Sequence, residues 1–406
     1  MEKHELRAAA SLAAVFSVRM LGLFMVYPVF AAFARHLTGA TPYRIGIALG
    51  IYGLSQGLLQ IPFGMLSDRI GRKTMIVLGL IAFGIGSVVA AGATSIGGMI
   101  LGRLLQGAGA VGSVVLALVA DLTAEKSRTK AMALVGVSIG FSFLLAIVTG
   151  PVIAGWIGVA GIFWLMALLA LAGIVITLFV VPAPPRLQAQ RRMKTVPALL
   201  GASLRNPDLL RLNFGIFALH AMLTASFLVV PALLRGTLAV SSSGQWRVYL
   251  PILLVSVAVM APAIIVAERY RRLKGVLVGS VAAMAVSQFM LAVGGRDTYV
   301  LLGALVLFFS GFNVMEASLP SLVTKTAPAG STGTATGIYS SSQFLGIFAG
   351  GILGGWVHQA AGVAGVFFFA GSLAIIWLLV TAAMHGPALS HDGGHLPITA
   401  RRSPKR

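Results

Sequence analysis

The 406-residue chain has no cysteine, which excludes disulfide frameworks, CxxC redox sites and thiolate metal centres. It is also short of charge. Ten acidic residues stand against 30 basic ones, and charged residues make up 10% of the chain, whereas soluble domains carry about 25%. So little surface charge cannot keep a 406-residue chain dispersed in water, and a soluble enzyme is excluded. No GxxxxGK(S/T) loop is present, so ATP-driven pumping by this chain is not expected. Neither an HExxH motif nor a paired-carboxylate motif suggests hydrolysis, and no catalytic residue, metal site or cofactor is expected.

What is abundant points to a bilayer. Hydrophobic residues make up 58% of the chain, and there are 49 glycines where average usage gives about 28. Small residues let transmembrane helices approach closely. A spanning helix needs about 20 mainly apolar residues, and twelve such stretches are predicted. Six lie near 10–36, 44–66, 74–93, 96–121, 129–156 and 160–181. Six more lie near 209–235, 246–267, 275–294, 298–322, 331–357 and 362–384. Ala32-Phe33-Ala34 looks like a signal-peptide cleavage site. The preceding apolar stretch is too long for one and carries Arg19, so it is expected to be retained.

Nearly all the loop arginines and lysines fall on the side of the membrane that holds both termini. Only Arg35, Arg44, Arg235, Arg247 and Arg296 fall in the opposite loops. Positive loops stay cytoplasmic, so both termini are expected in the cytoplasm. The net charge of +20 is then a topology signal, and nucleic-acid binding is not expected. The expected partners are the lipid bilayer, a small-molecule substrate and protons, for a monomeric chain.

The two halves repeat at an offset of 200. Pro62 recurs as Pro262, Asp68-Arg69 and Arg72 as Glu268-Arg269 and Arg272, and Gly150, Gly155 and Trp156 as Gly350, Gly355 and Trp356. The predicted organisation is a six-helix bundle over 1–181, a basic cytoplasmic linker over 182–208, a second six-helix bundle over 209–385 and a disordered tail over 386–406. In the tail, His385, His391 and His395 read as solvated rather than metal-binding. Duplicated bundles of this kind are typical of carriers with a site near the membrane midplane.

The stretch Gly64-Met65-Leu66-Ser67-Asp68-Arg69-Ile70-Gly71-Arg72-Lys73 is the most specific motif. Asp68 sits at a helix C-terminus, where the macrodipole disfavours an anion. Asp121 and Glu268 share that misplacement, which calls for partners such as Arg69, Arg72, Arg128 or a neighbouring helix N-terminus. The stretch resembles the loop 2–3 signature of the major facilitator superfamily, G-x-x-x-D-(R/K)-x-G-(R/K)-(R/K). That resemblance implies an all-α membrane protein with twelve transmembrane helices in two pseudo-symmetric six-helix bundles, the major facilitator fold. It also implies a conformational latch formed by Gly64, Asp68, Arg69, Gly71, Arg72, Lys73 and Asp121, with Asp68 facing the start of span eleven near Ser331–Thr336. The second copy carries Ile264 and Arg271 where the signature has glycine, which implies a weaker latch there.

Gly150, Pro151 and Gly155 in span five, with Gly350, Gly354 and Gly355 in span eleven, read as a helix-packing motif. The span-five run resembles the Gly-Pro signature of the superfamily's drug:proton antiporters, which implies export. Phe16-Ser17-Val18-Arg19-Met20-Leu21-Gly22, Gly46-Ile47-Ala48-Leu49-Gly50-Ile51-Tyr52-Gly53-Leu54 and Asn313-Val314-Met315-Glu316-Ala317 make the chain similar to the bacterial YajR-type exporters of the inner membrane.

Charged groups at membrane depth usually mark a pathway or a proton relay. Four titratable or charged residues stand there: Arg19, Arg103, His220 and Glu316, in spans one, four, seven and ten. Helices in those positions line the central cavity of the superfamily, and Arg103-x-x-Gln106-Gly107 resembles its span-four motif, associated with proton transfer. Glu316, His220 and Arg103 are therefore the expected proton-coupling residues. Arg19, Arg103, Gln106, Asn313, Glu316, His220, Gln56 and Gln343 are the expected lining of the substrate cavity. Glu316 is either a proton site or a static ion-pair partner of Arg19 or Arg103. His220 is either a relay or a quietly hydrogen-bonded core histidine, and the amides either meet a ligand or bind helix to helix. One carboxylate cannot neutralise two arginines, so positive charge is left to face an anionic group of the substrate. The expected function is proton-coupled efflux by alternating access. Symport or uniport of an anionic small molecule, and a non-transporting membrane receptor, are the alternatives.

Overall fold

The structure, a computed structural model, describes residues 1–182, 201, 203–270, 272–328 and 331–384, without the side chains of 125, 126, 128 and 129. Most of the expected linker, the tail with His385, His391 and His395, and the side chain of Arg128 lie outside the described residues.

Twelve helices carry the described chain: α1 (Lys3–Met25), α2 (Tyr27–Ala34), α3 (Pro42–Ile70), α4 (Arg72–Ala91), α5 (Ile96–Ala108), α6 (Gly112–Asp121), α7 (Glu125–Val175), α8 (Pro207–Leu238), α9 (Trp246–Arg269), α10 (Leu273–Gly294), α11 (Thr298–Thr326) and α12 (Thr332–Ala382). A π-helical turn, Ile176–Val180, ends α7. Local sequence explains most of the starts. Thr41, Ser95, Asn206 and Asp297 each accept a backbone N–H from the first turn of α3, α5, α8 and α11, which satisfies donors that a helix start leaves unpaired. Pro28 lacks an N–H and separates α2 from α1.

The helices do not map one-to-one onto membrane crossings. Ten described segments are long and apolar enough to cross a membrane, and two of them span 51 residues. Each of these two turns back at a glycine in the left-handed region, Gly158 (φ 72°, ψ 172°) in α7 and Gly362 (φ 69°, ψ −163°) in α12. That conformation is open only to glycine. Counting the two limbs of each separately gives the twelve expected crossings. An even number of crossings puts residue 1 and residue 384 on the same face, here termed the near face. Span one starts seven residues earlier than predicted, at Lys3. Span four is broken at Gly109–Val111 between α5 and α6, an interruption that the apolar run conceals.

α8 and α1 are the most enclosed spans, while α9 turns most of its surface outward. Outward positions carry large apolar side chains such as Val293, Leu254 and Trp156, as expected where lipid is the solvent. Trp156 and Trp356, related by the repeat, are both exposed at the far ends of their spans, the depth at which tryptophan gathers in bilayers.

The broadest contact between residues 1–181 and 207–384 joins α3 to the first limb of α12. A Cβ on Gly46 would fall on the Gly351 carbonyl, and one on Gly53 would fall on that of Phe344, so the two backbones meet with no side chain between them. Gly150 lies against the Met25 carbonyl, Gly350 against Ala221, Gly354 against Ala225 and Gly355 against Gly46, while Gly155 meets Ser243. In the far half of the spans Tyr27 shares a hydrogen bond with Thr224 (3.2 Å), and at the far face the Tyr43 amide donates to Gln359 (3.3 Å). Nearer the other face the picture changes. Cβ atoms added to Gly136 and Gly140 in α7, or to Gly333 and Gly337 in α12, would meet nothing within 4 Å.

Candidate functional site

The charged and amide side chains expected at membrane depth fall mainly into two groups, the first of them built around Tyr52. Arg19 from α1 is fully buried, at 1% exposure, and its Nη2 donates to the Tyr52 hydroxyl (2.6 Å) and to Gln56 Oε1. Gln56 is itself held, because its amide donates to Gln60 (3.0 Å). Tyr52, Gln56 and Gln60 recur every four residues and therefore share one face of α3. Arg103 from α5 is wholly buried, and its Nη1 donates to Gln106 Oε1 (2.9 Å). The amide of Gln106 donates in turn to Ser87 (2.8 Å) and to the sulfur of Met166 (3.4 Å). Both guanidinium carbons sit over the Tyr52 ring, at 5.8 Å for Arg19 and 5.0 Å for Arg103, a cation–π arrangement.

The second group belongs to α8, α11 and α12. His220 Nδ1 lies 3.3 Å from the Ile216 carbonyl, so this nitrogen carries the proton and donates. That leaves the Nε2 lone pair for the Gln343 amide, which donates to it at 2.8 Å. Glu316 Oε2 stands 3.9 Å from the same Nε2. It has no hydrogen-bond partner of its own, although the Glu316 side chain is 29% exposed. The Phe312 ring lies 5.9 Å from the imidazole and stacks at 5.3 Å on Phe143 of α7. Asn313 is directed elsewhere, donating to Ser256 at 2.7 Å.

Glu316 does not take the role of ion-pair partner to Arg19 or Arg103. Among the described residues no carboxylate pairs with Arg19 or Arg103, and the partner facing Glu316 is His220. α12 links the groups. Gln343, on His220, is followed by Phe344, whose ring lies 6.2 Å from that of Tyr52.

The loop-motif residues cluster at the near face. Arg72 joins Asp68 (2.5 Å) and Asp121 (3.1 Å), and it also donates to Ser67 and to the Gly64 carbonyl. Gly71 takes φ 101° at the turn, and Arg69 is exposed. Lys73 points away from this cluster and donates to the carbonyls of Leu178 (3.1 Å) and Val181 (2.9 Å), where α7 ends. At the start of span eleven near Ser331–Thr336, which Asp68 was expected to face, Ser331 donates to the Pro328 carbonyl and Thr336 to that of Thr332.

Sequence reasoning missed Tyr52, although the i, i+4, i+8 polar stripe with Gln56 and Gln60 was its signal. It also missed Glu5, whose carboxylate accepts the amide of Glu2 and that of Ala124, both at 2.8 Å. One acid thereby ties the start of α1 to the start of α7, and Glu2-x-x-Glu5 has the spacing of a capping box. Ser87 and Met166 carried no sequence signal, because their roles exist only once α4 and α7 pack against α5.

The comparisons with known proteins agree with this architecture. The family model of the Major Facilitator Superfamily matches residues 12–351 and, again, 245–399. The chain is 46% identical over 387 residues to the inner membrane transport protein YajR of Escherichia coli (strain K12), covering 95% of this chain and 85% of that protein. It is 30% identical over 141 residues to the class B tetracycline resistance protein of Escherichia coli, about a third (34%) of each chain. Among solved structures, a bacterial homolog of the human lysosomal transporter Spinster, inward-facing and occupied, superposes with a TM-score of 0.73. It is 14% identical and the match covers 94% of this chain and 96% of that one. The chain is a multi-pass membrane protein of transporter type and belongs to the Major Facilitator Superfamily.

Proposed function

We propose that this protein is a proton-coupled exporter of small molecules in the bacterial inner membrane, with both termini in the cytoplasm, working by alternating access. The observation that carries the reading is Glu316. It is the one carboxylate well within the spans, it is spared by both buried arginines, and it stands 3.9 Å from His220 Nε2. A charged group held at that depth marks a pathway. The Nε2 lone pair serves two competing donors. In the present geometry the Gln343 amide occupies it. A protonated Glu316 that moves closer by about 1 Å donates to it instead, since hydrogen bonds form near 2.7–3.0 Å. Gln343 is then released, and with it the stretch of α12 that bears Phe344 against Tyr52.

The contacts between residues 1–181 and 207–384 support a rocking motion of two six-helix units. The glycine-to-backbone contacts of α3 and α12, with Tyr27–Thr224 and Tyr43–Gln359, gather toward the far face. These must part for that side to open. The near-face cluster of Asp68, Arg72 and Asp121 lies wholly within residues 1–181, and it serves as a latch by taking a partner from the other unit when that face closes. Symport of an anion is the second reading, favoured by the two arginines without a carboxylate.

A growth screen of a deletion strain against toxic compounds would supply a substrate, and flux in proteoliposomes then tests the coupling. Glu316→Gln is expected to abolish substrate-dependent proton movement while substrate binding persists. Unchanged proton exchange in that variant would remove Glu316 from the mechanism, and uptake that stops when an uncoupler is added would replace export with symport. Asp68→Asn is expected to cripple transport in a chain that still folds.

A further inference from the structure

We infer that Arg19 and Arg103, gathered over Tyr52, form a receptor for the carboxylate of an organic acid. This deepens the transport reading above and rests on it only for what the bound acid is for. Both guanidinium groups are buried, at 1% and 0% exposure, and among the described residues neither has an acidic partner. Their acceptors are all neutral. Arg19 uses Nη2 alone, on Tyr52 and Gln56, and Arg103 uses Nη1 alone, on Gln106. Nε and Nη1 of Arg19, and Nε and Nη2 of Arg103, are buried donors with no partner. Nε and Nη2 are the two nitrogens of one edge of the guanidinium fork, the edge that takes a carboxylate in two parallel hydrogen bonds.

The neutral partners have the character of positioning groups. Each glutamine offers its carbonyl to an arginine while its own amide is fixed by a further hydrogen bond. The two forks are thereby held still and only their unused edges remain available. The guanidinium carbons lie within about 11 Å of each other, because both are over one ring. Two buried positive charges with satisfied backs and vacant donors are complementary to an anion, and a planar one fits the vacant edge of Arg103. Occupancy would be felt at Tyr52 and hence at Phe344 and Gln343, which connects the acid to the Glu316–His220 pair.

Thermal unfolding of the purified protein in detergent at low ionic strength tests this with benzoate, its neutral isostere benzamide, acetate and inorganic phosphate as probes. Benzoate is expected to raise the unfolding midpoint with concentration, and benzamide is not. Arg103→Lys keeps the charge but loses the bidentate edge, and should weaken benzoate by about tenfold. Gln106→Glu supplies a built-in carboxylate of the same length. It should raise the midpoint of the ligand-free protein and abolish the response to benzoate. Equal responses to benzoate and benzamide would overturn the receptor, as would a full benzoate response in Gln106→Glu or no shift with any of the three anions. A response to phosphate alone would overturn the organic acid in favour of an inorganic oxyanion. Benzoate binding without flux of any organic acid leaves the receptor standing and removes the transport reading, whereas flux of neutral or cationic compounds with no anion response does the reverse.

Discussion

The repeat places two loops at equivalent positions, after spans two and eight, and they solve the same electrostatic problem differently. In the first, Asp68 and Asp121 end α3 and α6, where the helix dipole disfavours an anion, and Arg72 begins α4, where it disfavours a cation. The three side chains are 13%, 15% and 10% exposed, and Arg72 bridges both acids. In the second, Glu268 ends α9 and Arg272 precedes α10 with the same misplacement, yet both are exposed. Water screens a misplaced exposed charge, and burial makes a partner necessary. The difference teaches that the sign pattern alone does not make a clasp. The first cluster is shielded from solvent and its copy is not.

Removing the shared cation of the first loop should cost the most. Arg72→Gln leaves two largely buried carboxylates without their shared cation and should destabilise the protein by about 3 kcal/mol. Arg272→Gln, its counterpart, should fall within about 0.5 kcal/mol of the parent. Denaturant titration of both variants in the same detergent checks this, and equal losses would mean that the first cluster is as solvated as the second. Next comes Gly71→Ala. The added Cβ would meet only Thr74 Oγ1 at 3.6 Å, so space is not the obstacle. The cost, about 1–2 kcal/mol, lies in holding alanine at φ 101°. A loss below about 0.3 kcal/mol would show that the turn relaxes.

Much of this architecture was legible in the sequence, for reasons that also explain what was not. Spans are written in runs of about 20 apolar residues, and the loop motif is local, so α3, α4 and the Asp68–Arg72 spacing could be read directly. The arginines and Glu316 stood out because charge is rare at that depth. Their pairing was not legible. Whether Glu316 faces Arg19, Arg103 or His220 depends on how α11 packs against α1, α5 and α8, and no spacing along one helix encodes it. Tyr52 was hidden for another reason: one tyrosine in an apolar run looks like packing until two guanidinium groups are found over its ring. The break at Gly109–Val111 was hidden by the unbroken hydropathy of 96–121.

A smaller effect is expected beside the first loop. Lys73 caps the end of α7 through the carbonyls of Leu178 and Val181, and the position 200 residues later holds Leu273. Lys73→Met should cost about 1 kcal/mol, the net worth of such hydrogen bonds at a partly exposed helix end. A protease-sensitivity assay should show the turn Ile176–Val180 opening first. Loss of stability without local opening would place the role of Lys73 elsewhere.

The smallest expected effect is the most informative about the repeat. Glu268 occupies the place of Asp68, so a purely positional account of the motif requires the two acids to matter equally. The physical account requires the opposite, because no described ion pair holds Glu268 and its side chain is exposed to the solvent. Glu268→Gln should therefore leave stability within about 0.5 kcal/mol and leave flux close to that of the parent, while Asp68→Asn loses most of its flux. The two variants differ from the parent by the same chemical change at equivalent positions, so measuring them side by side cancels the effect of removing a negative charge from the near face. A flux defect in Glu268→Gln as deep as that of Asp68→Asn would show that the second loop closes on a partner in a state other than this one, and that exposure in one state does not measure what the loop does across the cycle.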